Sequence, residues 1–168
     1  MTWTAVPHTV NRLVVDVDLP FDDFRSRYEQ AVPAYDLTGL ARFPNWDEVR
    51  ADADRAAPNG FLRYSTVDCG PAFSIAGHKA QCVVYLMGNH TIAETMYGRD
   101  PGIMLYAPLR TVIYEDLDGR AHFALDQPTD RFGSFGDPDI AATGKLLDQK
   151  LAALFSALGV AVPVLEEG

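Results

Sequence analysis

"CVVYLMGNHTIAETMYGRDPG", residues 82–102, is the stretch on which the fold turns. An apolar, β-branched and aromatic run stops at Gly88, and Asn89, His90 and, four residues after the histidine, Glu94 follow. Residues 79–87 read as a strand, the strongest in the chain. Alternation puts Gln81, Val83, Tyr85 and Met87 on one side of it and Cys82, Val84 and Leu86 on the other. Asn89 is a good N-cap for a short helix opening at His90, and Gly98 is a natural stop.

Upstream, residues 10–19 alternate, with Leu13, Val15, Val17 and Leu19 facing one way and Asp16 and Asp18 the other, as in a half-buried strand. Pro20 then starts a helix with Phe21, Phe24 and Tyr28 at helical spacing, and Pro33 ends it. Residues 34–59 form a connection or lid-like insertion. It carries a short helix capped by Asn45, with Trp46, Val49 and Ala53 on one stripe. Residues 61–69 read as a strand and 70–77 as a loop or bent edge.

Downstream, a bend at Ala107–Pro108 precedes a strand from Leu109 to Glu115, because proline is badly tolerated inside a central strand. Leu117–Asp118–Gly119 turns the chain into a hairpin partner. Asp137 caps the best helix, over 138–158, with Pro138 at its first turn. Ile140, Leu147, Leu151, Leu154 and Leu158 line one face of that helix, and Gly159 closes it. The order β-α-(α)-β-β-α-β-β-α predicts a single α+β domain over residues 1–168. Its sheet is mostly antiparallel, with helices on one face. The last helix is predicted to pack on the Cys82–Val84–Leu86 side.

The chain has 168 residues, 48% apolar and 22% charged, as expected of a globular domain. Its net charge of −9 argues against nucleic acid as a partner. No apolar stretch is long enough for a membrane span, and the first residues do not read as a signal peptide, so a cytoplasmic location is expected. Cys69 and Cys82 lack metal-ligand spacing and are expected to be reduced and buried, Cys82 as core rather than nucleophile. No phosphate-binding glycine loop occurs. No cofactor and no metal are expected.

The segment "YLMGNHTIAETMYGRDPGIMLYAPLRTVIYEDLDGRAHFALDQP", followed by "LDQKLAAL", resembles the bacterial family known as domain of unknown function 302. The likeness lies in Gly88–Asn89 and the helix after it, Ala107 to Arg110, Ile113 to Gly119, and Pro128, within residues 75–158. It implies a compact α+β domain with a sheet backed by helices, and no agreed activity. His90 stands where that family usually has a helix-initiating proline.

His90 is the leading candidate for chemistry. A helix N-terminus favours neutral imidazole, the form a general base needs, and Glu94 one turn on is its candidate proton partner. His78 lies at the far end of the main strand, about 30 Å away at roughly 3.3 Å per residue, and belongs to no common centre. His8 and His122 read as surface or hairpin residues. A second candidate is the sheet face left open by the helices, predicted to gather Tyr64, Tyr85, Arg110 and Tyr114, with Asn89 at its edge. Such a surface suits a small apolar ligand with a carbonyl or a carboxylate, the latter held by the guanidinium. It equally suits a homodimer interface. Three classes therefore stand: a small-molecule-binding domain, a cofactor-independent isomerase, cyclase or lyase using His90 and Glu94, and an oligomeric interaction protein.

Overall fold

The computed structural model describes residues 1–160; residues 161–168, the end of the predicted domain, lie outside the described part. Five strands form one antiparallel sheet: β1 (Arg12–Asp16), β2 (Leu62–Asp68), β3 (Cys82–Gly88), β4 (Leu109–Glu115) and β5 (Ala121–Asp126), in the order β1-β5-β4-β3-β2. Six α-helices accompany it: α1 (Phe21–Ala31), α2 (Trp46–Ala56), α3 (Gly70–Ser74), α4 (His90–Tyr97), α5 (Pro128–Gly133) and α6 (Pro138–Leu158). The fold is α+β. The hairpin turn has Gly119 at φ +79°, a backbone that side chains disfavour.

The main core lies on one side of the sheet. Val83, Tyr85 and Met87 of β3 share it with Leu109, Thr111 and Ile113 of β4 and with Phe123 and Leu125 of β5. Helix α1 seals it through Tyr28, whose ring lies 4.8 Å from that of Tyr85 and 5.4 Å from that of Phe123. Helix α6 seals it with Leu147, Leu151, Leu154 and Phe155, the last 5.7 Å from Phe123. Asp137 starts α6 by accepting from the backbone N–H groups of Asp139 and Ile140 at 2.8 and 3.1 Å, and Gly159 ends it at φ +72°.

The sidedness is the reverse of the expectation. Helix α6 shares the core with Val83, Tyr85 and Met87, and Cys82, Val84 and Leu86 are half-buried on the other side. Both sides of β3 are apolar, so its own pattern does not choose between them. Cross-strand partners do: Tyr85 stands opposite Thr111, and Leu86 opposite the exposed Arg110. Tyr85 is fully buried, and its hydroxyl is satisfied by donating to Glu29 of α1 at 2.8 Å.

Smaller differences are local. Strand β1 stops at Asp16, and the bent edge expected after β2 contains the short α3. Helix α5 had no periodic pattern to announce it. Its start is held by Asp148 of α6, which is 8% exposed and accepts from the Thr129 N–H at 3.2 Å and the Gln127 amide at 3.0 Å. In mid-helix, Gly144 lets the two helices touch: a Cβ there would lie 3.1 Å from Thr129 Cα and 3.2 Å from Phe132 Cβ.

Candidate functional site

Where β3 hands over to α4, Asn89 adopts an extended backbone and its Oδ1 accepts from the Thr91 N–H at 3.0 Å. Its amide donates to Gly60 O at 3.2 Å, tying the helix start to the turn before β2. A register shift between Arg63 and Ser65 takes Tyr64 out of the β2–β3 ladder. The Tyr64 hydroxyl meets His90 twice. It accepts from the His90 backbone N–H at 2.9 Å and lies 3.0 Å from Nδ1.

That geometry assigns the tautomer. The hydroxyl proton has Nδ1 as its acceptor within reach, so Tyr64 donates and the ring proton sits on Nε2. Nε2 is buried and finds no partner among the described residues. Burial lowers the imidazole pKa below its ordinary 6.5, partly opposed by the charge of Asp52, and pushes the Tyr64 hydroxyl up. His90 is therefore neutral at pH 7.

The segment between α1 and β2 supplies the other walls. Tyr35 lies over the imidazole at 5.2 Å between centroids and 30° between planes, and Trp46 presents an edge at 6.4 Å. Tyr35 donates to Asp52 at 2.7 Å, and its own pKa rises to about 12 through burial and that bond. Trp46 Nε1 is also buried without an acceptor. Two ring nitrogens in one aromatic cluster thus find no partner among the described residues. Tyr35 and Trp46 had been assigned no role from the sequence. Aromatic residues in a segment otherwise short of large apolar side chains were the available signal.

A cavity of about 80 Å³ adjoins this cluster. Tyr64, Asn89 and His90 line it together with apolar side chains that include Ile92, Met96, Met104, Phe132 and Leu147. Two broader grooves of about 560 Å³ each open to solvent: one lies away from the site around Asp16 to Pro20 and Gly119 to His122, and the other runs along Tyr35 to Thr38 and Arg63 to Thr66, sharing Leu37 and Tyr64 with the cavity. Among the described residues, no group of three His, Cys, Asp or Glu side chains is placed to hold a metal ion, and no helix is long and apolar enough to cross a membrane.

The structure brings together Tyr64, Asn89 and His90 and separates the rest. Glu94 turns to Arg50 of α2, 3.6 Å away, while the imidazole is drawn to Tyr64 instead. Tyr85 is in the core. Arg110 and Tyr114 lie on the opposite, uncovered side of the sheet, where Tyr114 stacks on His122 at 5.2 Å. The predicted cluster of Tyr64, Tyr85, Arg110 and Tyr114 does not form, because Tyr85 faces the helices, Arg110 and Tyr114 face away from them, and Tyr64 turns to His90. His78 sits in an exposed loop beside Phe73.

A pH prediction follows from the buried imidazole. Unfolded His90 binds a proton near pH 6.5 and folded His90 only at lower pH, so the unfolded state holds more protons between those values. Wild-type stability should therefore fall as pH drops below 6.5 relative to a His90→Gln variant, and the difference should level off below the folded pKa. Parallel urea titrations from pH 7.5 to 5 check this; a pH-independent difference would show that the ring is not desolvated.

A single antiparallel sheet with helices on one face defines the class, a small α+β domain, and a histidine–tyrosine pair stands beside an apolar cavity in it. Residues 45–158 match the family described as domain of unknown function DUF302, and the chain belongs to that family. Its fold is similar to the crystal structure of an uncharacterized conserved DUF302 protein from Bacillus stearothermophilus. The TM-score is 0.64 at 15% identity, covering 88% of this chain and 97% of that one. No curated protein matches the chain.

Proposed function

We propose that the protein is a small-molecule-binding domain whose ligand is a small apolar molecule carrying one carbonyl or carboxylate oxygen. The observation that carries this reading is His90, which lines the apolar cavity while its Nε2–H is buried without an acceptor. In this reading the ligand oxygen accepts from Nε2–H, and the apolar body lies against Ile92, Met96 and Phe132. Tyr64 is the positioning residue: it fixes the ring and puts the proton on Nε2.

A second reading rests on the Tyr64–His90 hydrogen bond itself. An isomerase, cyclase or lyase would move a proton through a neutral imidazole of this kind, with Tyr64 rather than Glu94 as its partner.

One assay separates these readings. Acetate, propionate and the matching neutral amides are titrated calorimetrically into wild type, His90→Gln and Ala93→Phe, and the compounds are then recovered. Ala93 lines the cavity, so the phenylalanine should fill it and abolish binding. His90→Gln should weaken binding about tenfold, the worth of roughly one hydrogen bond. Carboxylate binding should strengthen as pH falls toward the lowered pKa of the free protein's imidazole, because the bound anion favours the imidazolium; amides should show no such gain. Compounds recovered unchanged support binding alone. Compounds altered by wild type but not by His90→Gln support the enzyme. Affinity that survives both substitutions sinks the site.

A further inference from the structure

The chain's two cysteines meet across the sheet. The β2–β3 register pairs Val67 with Val84 and Asp68 with Val83, so the next rung sets Cys69 opposite Cys82. The Cys69 N–H donates to Cys82 O at 2.9 Å and holds that rung closed. Cys69 has already left the strand for a helical backbone, φ −86° and ψ −21°, and its thiol lies within interaction range of the Cys82 thiol. Both thiols are free and half-buried, not core as the sequence suggested. Burial raises the Cys82 thiol, and the adjacent Cys69 thiol raises it further. A hydrogen-bonded antiparallel rung keeps its Cα atoms about 5.5 Å apart, inside the roughly 4.4–6.8 Å span of disulfides.

The segment that this rung closes is exposed from Pro71 to Ala80. It carries α3 and two large apolar side chains in solvent, Phe73 and Ile75. The rung is thus the base of an exposed loop, reachable by a small oxidant.

We propose that Cys69 and Cys82 are a reversible thiol–disulfide pair that clamps the base of this loop when a low-molecular-weight disulfide is present. The Cys69 thiolate attacks the oxidant, for example oxidised glutathione, and expels one glutathione thiolate. The Cys82 thiolate then attacks the Cys69 sulfur of the mixed disulfide and expels the second. Two protein thiols are oxidised, one glutathione disulfide is reduced to two thiols, and the two cysteine protons end, through solvent, on those two glutathione sulfurs. The raised Cys82 thiol makes the closing step faster at higher pH.

The test incubates the full chain with oxidised glutathione, quenches with N-ethylmaleimide and reads intact mass. Wild type should become a monomer lacking two hydrogens with no alkylated thiol, and excess reduced glutathione should restore two alkylatable thiols. Cys82→Ser should stop at a single glutathione adduct on Cys69. Wild type that keeps both thiols alkylatable, carries a glutathione on each cysteine, or cross-links between chains would overturn the proposal. Wild type alone decides between these results, so a serine variant that fails to fold leaves the test intact.

Discussion

Leu151→Asp should abolish folding. Leu151 sits on α6 with no solvent exposure, inside the cluster that joins α6 to the core side of β3, β4 and β5. A carboxylate there has no partner supplied by the packing, and burying it costs several kcal/mol even after its pKa rises to neutralise it. A domain of this size is stable by only about 5–15 kcal/mol, so the substitution removes most or all of the margin. The lost leucine adds about 2–5 kcal/mol for transfer and cavity terms. The measurement is far-UV circular dichroism with thermal melting, on protein purified at neutral pH. Native ellipticity and a cooperative transition at the wild-type temperature would mean that α6 is peripheral and the core misassigned.

Gly144→Val should be the next most damaging change, and it should reach the cavity. Valine in a helix interior is ordinarily better than glycine by a few tenths of a kcal/mol. Here its Cβ alone would press on the Thr129 backbone at 3.1 Å and on Phe132 at 3.2 Å, and its two methyl groups need further room. Overpacking of this sort costs about 1–3 kcal/mol, or roughly 2–12 °C in Tm for a domain of this length. Relief comes only by moving α5 away from α6. Phe132 on α5 and Leu147 on α6 both line the cavity, so that movement should also lower affinity for any ligand held there. Differential scanning calorimetry with and without ligand reads both effects. Gly144→Ala is the control: its helix gain and the tight contacts of its one Cβ oppose each other, and little net change is expected. A wild-type Tm for Gly144→Val would show that the two helices are not in close register.

The site was partly legible. Asn89 reads as a cap because a short side-chain oxygen beside a helix start has an obvious use, and the structure satisfies it with the Thr91 N–H. His90 reads as unusual because it stands at a helix N-terminus. Its real partner, Tyr64, lies 26 positions away and reaches it through a bulge that strand alternation does not reveal. Glu94 was the natural local choice at i+4, yet Arg50 from a neighbouring helix claims it. Local spacing ranks only partners within one element.

The elements themselves were determined by the sequence. Proline and asparagine at helix starts, glycine at helix ends and turns, and alternation in strands act within a few residues, so they survive without knowledge of the rest of the chain. That is why α1, α2, α4, α6, β4 and the β4–β5 hairpin fall where the residues place them. The tertiary structure decided what depends on comparison between distant segments. Which side of β3 is core was settled by Tyr28 of α1, Thr111 of β4 and Phe123 of β5, because β3 is apolar on both sides and hydrophobic burial has no direction of its own. The closeness of α5 to α6 was settled by a side chain that Gly144 does not have. The His90 pocket likewise exists only because a bulged strand, a helix start and the segment carrying Tyr35 and Trp46 converge on one imidazole. Such a convergence is a property of packing, and no periodicity along the chain encodes it.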